Sequence, residues 1–346
     1  MAIDLKAITP NKVSDDFASY STFIYGVPKV GKSTFVTDLY GDRILQIFTE
    51  KRFKALEGAY VQYVSSWNEY MQVMKQLRDP EIKSKFDAVS IDTVENLFAM
   101  LEKFIAAKFN EAQVGEGSVA YGKDWTALAQ TWVDGISMIE KNGYVPVFVA
   151  HAKEVTTQIP KSAIIPSEAS GIQMEEVKSD GIEYMEFKKY VPDGKDRMIA
   201  PVRNMSDNIL FMHMTTDENG KEHRVISTRE TLQWEAGSTF KDMKPNIPLS
   251  ADAYKQAVKE ALGKIDDSVK TSERKASADI HGETLNYDEL MNQMKELGKW
   301  YVDNERGEEL REATEDVFGI GVRATEAKPN QVEVVKTLVD KLLEMK

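Results

Sequence analysis

The stretch that decides the fold is STFIYGVPKVGKST, residues 21–34. Residues 21–25 favour a β-strand and run into a glycine, while Ser33 opens a helix expected to reach Tyr40. Between them, Gly26, Val27, Pro28, Lys29, Val30, Gly31, Lys32 and Ser33 satisfy GxxxxGK[ST] at every fixed position, and Thr34 adds a second hydroxyl. Glycines let the backbone curl so that successive N–H groups point at phosphate oxygens, and the helix that follows presents its positive end to the same charge. In such a loop Lys32 reaches the β- and γ-phosphates and Ser33 ligates a cation. A nucleoside triphosphate with Mg2+ is therefore the expected ligand, ATP being expected although the loop itself does not distinguish it from GTP.

Outward from this loop, apolar strands alternate with amphipathic helices. Residues 44–48, 61–64, 88–91 and 145–150 read as strands. Helical spacing appears over 68–77, 95–109 and around Leu128, Trp132, Ile136 and Ile139, with Asp124 as the expected cap of the last. That alternation predicts an α/β fold, a mostly parallel sheet covered on both faces. Beyond His151 the pattern becomes a polar loop over 152–182, then β-like runs over 184–191 and 208–215. Asn219-Gly220 marks a hairpin leading to 224–228, so antiparallel strands are expected to finish the core. A helix over 251–262 closes it. The expected division is a core over 1–263, a polar linker over 264–284 and a small helical module over 285–346, whose last helix spans 332–345.

Three strand ends carry further chemistry. Asp92 follows the strand 88–91 and can hold magnesium together with Ser33. Hydrolysis also needs a residue to orient water, and Glu50, just after the strand 44–48, is preferred to Glu95 because parallel strand ends open onto the same edge as the loop. His151 ends the strand 145–150, where a polar side chain can sense the γ-phosphate and relay it onward. In the segment that follows, Lys153, Lys188, Lys189, Arg197 and Arg203 are interspersed with aromatic residues, which suits single-stranded nucleic acid. Arg197, Arg203 and Arg229 are also candidates for a finger reaching a neighbouring subunit's nucleotide.

Composition narrows the remaining classes. The chain has 346 residues, enough for one α/β domain and an appendage. Cysteine is absent, which removes thiolate metal sites, disulfides and cysteine nucleophiles together. No apolar run approaches the length of a membrane span, and the start lacks the pattern of an export signal, so a cytoplasmic setting is expected. A net charge of −12 opposes nonspecific adhesion to polyphosphate, so DNA contact would need a local basic surface.

On the anchors YGVPKVGKST (25–34), ILQIFTE ending at Glu50, AVSIDTVENL with Asp92, VPVFVAHAKE with His151 and WEAGSTFKDMKPNIPLS (234–250), the chain resembles phage-encoded RecA-like ATPases. These include AAA-type phage nucleotide-binding proteins and core-only proteins that promote single-strand annealing. The resemblance covers residues 15–263. It implies that Glu50 positions the attacking water, that His151 stands where RecA has a glutamine coupling nucleotide to its DNA-binding loop, and that the chain assembles into a ring or filament. The function expected is DNA-stimulated ATP hydrolysis on single-stranded DNA in phage recombination, annealing or replication, in the host cytoplasm. A nucleotide-switched adaptor and a DNA-translocating motor are the alternatives. Residues 264–346, outside the resemblance, are expected to dock a protein such as a single-strand binding protein.

Overall fold

The computed structural model describes residues 10–116, 122–265, 269–273 and 285–346. Two compact units divide the chain, residues 1–280 and 281–346. The first contains β1 (Val13–Ser14), β2 (Thr22–Gly26), α1 (Lys32–Tyr40), β3 (Ile44–Phe48), β4 (Tyr60–Tyr63), α2 (Trp67–Gln76), α3 (Pro80–Lys85), β5 (Ala88–Asp92), α4 (Val94–Lys108), α5 (Lys123–Lys141) and β6 (Val145–Pro160). It continues with α6 (Pro166–Ala169), β7 (Glu175–Ser179), β8 (Ile182–Pro192), α7 (Asp196–Asn204), β9 (Asn208–Thr216), β10 (Glu222–Ser227), β11 (Gly237–Ser238), β12 (Asn246–Pro248), α8 (Ala251–Gly263) and β13 (Lys270–Thr271). Thus part of the segment expected as a linker is a strand, paired with β1.

The main sheet runs β12-β10-β9-β2-β6-β5-β3-β4. The six strands from β9 to β4 are parallel to their neighbours, and β10 and β12 add antiparallel partners at one edge. This is an α/β arrangement, a mostly parallel sheet between helices. Side-chain alternation fills both faces. Phe23, Tyr25, Ile91, Phe148 and Phe211 pack with Leu97, Leu101, Trp132 and Ile136, whereas Ile24, Val147, Val149 and Leu210 pack with Phe35, Val36 and Tyr254. Burial on both faces explains why these strands read as continuous apolar runs.

Two local expectations are corrected. Residues 152–160 are strand, not loop: β6 continues past the sheet edge and pairs antiparallel with β8, which also pairs with β7, to make a projecting arm. The period-2 alternation of Val155, Thr157 and Ile159 with Glu154, Thr156 and Gln158 is its sequence signature. Asp124 does not cap α5. Gly122 holds that position, and Asp124 accepts a hydrogen bond from the Gly115 N–H at 2.6 Å, which closes the preceding loop. Residues 117–121 of that loop lie outside the described residues.

The second unit is helical: α9 (Tyr287–Asp303), α10 (Gly307–Phe318) and α11 (Val332–Met345). They share a core of Met294, Leu297, Tyr301, Ala313, Val335, Leu338 and Leu342, and the Tyr301 hydroxyl donates to Leu342 O at 2.8 Å.

Candidate functional site

Sheet register assembles the site. Gly26 lies opposite both His151 and Met212, and Asp92 lies opposite Phe48, two residues before Glu50. The carboxyl ends of β2, β3 and β5 and the His151 position of β6 therefore share one edge, where open parallel sheets bind ligands. Gly26 is required there by close approach, since a Cβ would stand 2.3 Å from Met212 O on β9. The loop then turns through Lys29 at φ 63° and Gly31 at φ 112°, both left-handed, and enters α1 with no side-chain cap. Its amides are thereby left for another acceptor.

Within this turn Lys32 is 7% exposed, and its ammonium donates to Gly26 O at 2.9 Å and Val27 O at 3.1 Å. Burial lowers its pKa below the ordinary lysine value, opposed by Asp92, Glu95 and Glu50 in that order. Ser33 Oγ donates to Asp92 Oδ2 at 2.5 Å. Burial raises the Asp92 carboxyl, with the Ser33 hydroxyl and then Lys32 acting against it. A buried carboxylate in contact with a hydroxyl fits magnesium, which takes few protein oxygens and completes its shell with water and phosphate. The bent loop, bare helix start and inward ammonium fit the triphosphate. When bound, the metal would be held by Ser33 and Asp92, and it would neutralise phosphate charge.

Glu50 and Glu95 both come to this edge but are held differently. Glu50 Oε1 accepts from Asn96 Nδ2 at 2.8 Å, and Oε2 lies 3.2 Å from Arg52 Nε. Glu95 Oε1 accepts from the His151 backbone N–H at 3.1 Å and meets His151 Nδ1 at 2.5 Å, while its buried Oε2 has no hydrogen-bond partner among the described residues. The contact with Glu95 raises the His151 pKa, and burial opposes it. Thr49 accepts from the Thr93 N–H at 2.9 Å and ties β3 to the turn after Asp92.

The remaining candidate cations are engaged by other groups of the chain. Lys153 donates to Gly194 O and approaches Asp193 at 3.5 Å. On the arm, Lys188 lies 3.5 Å from Glu154 and Lys189 lies 3.1 Å from Glu230. The Arg197 guanidinium sits 4.0 Å over the Trp125 ring, and Arg203 pairs with Glu235 at 2.7 Å. Arg229 donates to the carbonyls of Ser238, Phe240 and Lys241, which holds its guanidinium within its own chain. Sequence reading missed Arg224 on β10, whose Nη1 lies 3.8 Å from the position of a Cβ on Gly31. It missed Asn96 as well. The spacing of three from the helix N-cap Thr93 to Asn96 was the available signal for Asn96, whose Nδ2 also donates to Thr93 Oγ1, whereas Arg224 reaches the loop only through strand pairing.

Fold and site together define a phosphate-loop nucleotide-binding protein with a β-arm running out of its site. The chain matches the AAA domain family model over residues 18–240, and it belongs to that family of P-loop ATPases. It is similar over its whole length to the SPbeta prophage-derived uncharacterized protein YorG of Bacillus subtilis (strain 168), with 24% identity and 99% of that protein covered. Among solved structures it is similar to the flagellar accessory protein FlaH from Methanocaldococcus jannaschii, 11% identical, with a TM-score of 0.28, 66% of this chain covered and 84% of that one. Among the described residues, no helix is long and apolar enough to cross a membrane.

Proposed function

We propose that this chain is a phage-encoded, magnesium-dependent ATPase that assembles on single-stranded DNA during recombination, annealing or replication. The observation that carries the ATPase reading is the Ser33–Asp92 contact beside the inward ammonium of Lys32, since cation ligands and phosphate ligand are already adjacent. The prophage origin in the relative's name supports the phage setting. The β-arm supports coupling to a second ligand: β6 passes without a break from the buried strand through His151 to Pro160, so a shift at Glu95 reaches the arm through one backbone hydrogen bond.

One observation favours a second reading. Lys153, Lys161, Lys178, Lys188, Lys189 and Arg203 each lie within 4 Å of a carboxylate, which weakens the arm's attraction for phosphate. A nucleotide-switched adaptor with protein partners uses such a surface. ATP hydrolysis measured with and without single-stranded DNA across a salt series separates the two. The DNA reading requires stimulation at low salt that falls steeply as salt rises. Absence of stimulation at low salt supports the adaptor, and directional movement on duplex DNA supports a motor.

A further inference from the structure

The helical unit carries a groove unrelated to nucleotide chemistry. A cavity of about 660 Å3 lies between α9, α10 and residues 321–325. On α9 its wall is Lys295, Gly298, Lys299 and Val302, spaced i, i+3, i+4, i+7, and on α10 it is Gly307, Leu310, Arg311 and Thr314 with the same spacing. Each set is therefore one stripe of its helix. Gly298 leaves the space between the two stripes open, since a Cβ there would stand in ordinary contact with the Leu310 side chain, at 3.9 Å. Val302 at 63% and Val322 at 48% exposure leave apolar surface bare along the groove.

Charge says what covers it. Residues 285–346 hold nine lysines and arginines against fourteen carboxylates, yet Lys295, Lys299, Arg311 and Arg323 line this groove with Glu315 as its one acidic lining residue. Lys295 and Lys299 make no ion pair with any described carboxylate, and Arg311 and Arg323 reach theirs only at 3.8 Å. Cations concentrated on an otherwise acidic body mark a binding surface rather than a solvated face. We propose that this groove docks an acidic peptide segment of a partner protein, with its bulky apolar side chains between α9 and α10 and its carboxylates against the four cations. The apolar floor favours peptide over nucleic acid, whose backbone gains nothing from Val302 or Leu310.

The test uses the full-length chain and a fluorescein-labelled synthetic peptide of three aspartates followed by two bulky apolar residues, read by fluorescence anisotropy. Saturable binding is expected. Lys295→Glu with Lys299→Glu should weaken it at least about tenfold at low salt. Gly298→Phe, which fills the groove from a half-buried helix position, should weaken it comparably. Peptides with lysine for aspartate, or alanine for the apolar pair, should not bind. The proposal is overturned by no binding at millimolar peptide or by equal affinity of the charge-reversed chain. Displacement by a single-stranded oligonucleotide alone, or wild-type peptide binding only after residues 274–284 are deleted, also overturns it, by assigning the groove to nucleic acid or to the chain's own segment.

Discussion

Replacing Lys32 by methionine should separate folding from nucleotide binding. Methionine keeps the length and volume of the aliphatic stem and removes the ammonium. In the free protein that ammonium is buried, and burial is the main cause of its lowered pKa. A lysine whose folded pKa lies below its unfolded value disfavours the fold while it is charged. Its loss forfeits two hydrogen bonds from a charged group to loop carbonyls, each worth about 1.5–3 kcal/mol, while relieving the opposing burial penalty, so the free variant should melt within a few degrees of the parent. Binding is different. The same donors pass to phosphate oxygens, where charged hydrogen bonds are worth about 1.5–3 kcal/mol each, so two of them predict roughly a 10²- to 10⁴-fold loss of affinity. At about one hundred times the parent's Kd, nucleotide adds about 2.7 kcal/mol to stability, a shift of roughly 5 °C in Tm. Differential scanning fluorimetry with and without Mg-ATP should show that shift in the parent and none in Lys32→Met. A variant that keeps the shift, or that fails to fold without ligand, refutes the reasoning.

Glu50→Gln should retain nucleotide binding and lower turnover by roughly 10²-fold or more, as expected for a residue that orients water. A parental rate would pass that role to Glu95, whose Oε2 has no hydrogen-bond partner among the described residues, and Glu95→Gln measured alongside would then be the inactive variant. The raised pKa of His151 fixes the sign of a pH effect: stability from its contact with Glu95 is fully present below the unfolded histidine pKa, about 6.5, and declines as pH rises through the folded value. Thermal melts from pH 6 to 9 should show this decline in the parent and less of it in Glu95→Gln; equal profiles would dissociate the contact from the pH effect. Gly26→Ala should destabilise by about 1–3 kcal/mol, because the new methyl meets main chain and not a movable side chain. An unchanged urea midpoint would show that β9 yields at no cost.

The sequence alone determined the phosphate loop and the buried strands. Loop geometry there depends on residues adjacent in the chain, and strands buried on both faces leave continuous apolar runs such as residues 44–48 and 145–150. The helix expected over 332–345 matches α11 because its apolar spacing is local too. Tertiary structure decided what depends on register. Gly26 meets His151 and Asp92 meets Phe48 because four strands pair with particular offsets, and no spacing within one segment encodes those offsets. The same reason governs Glu95: its place three residues past Asp92 puts it within a helix, and only the neighbouring β6 brings His151 onto its carboxylate. The arm cations read from sequence as free charge, whereas folding sets Glu154 and Glu230 beside them, since antiparallel pairing and loop closure join residues distant in the chain.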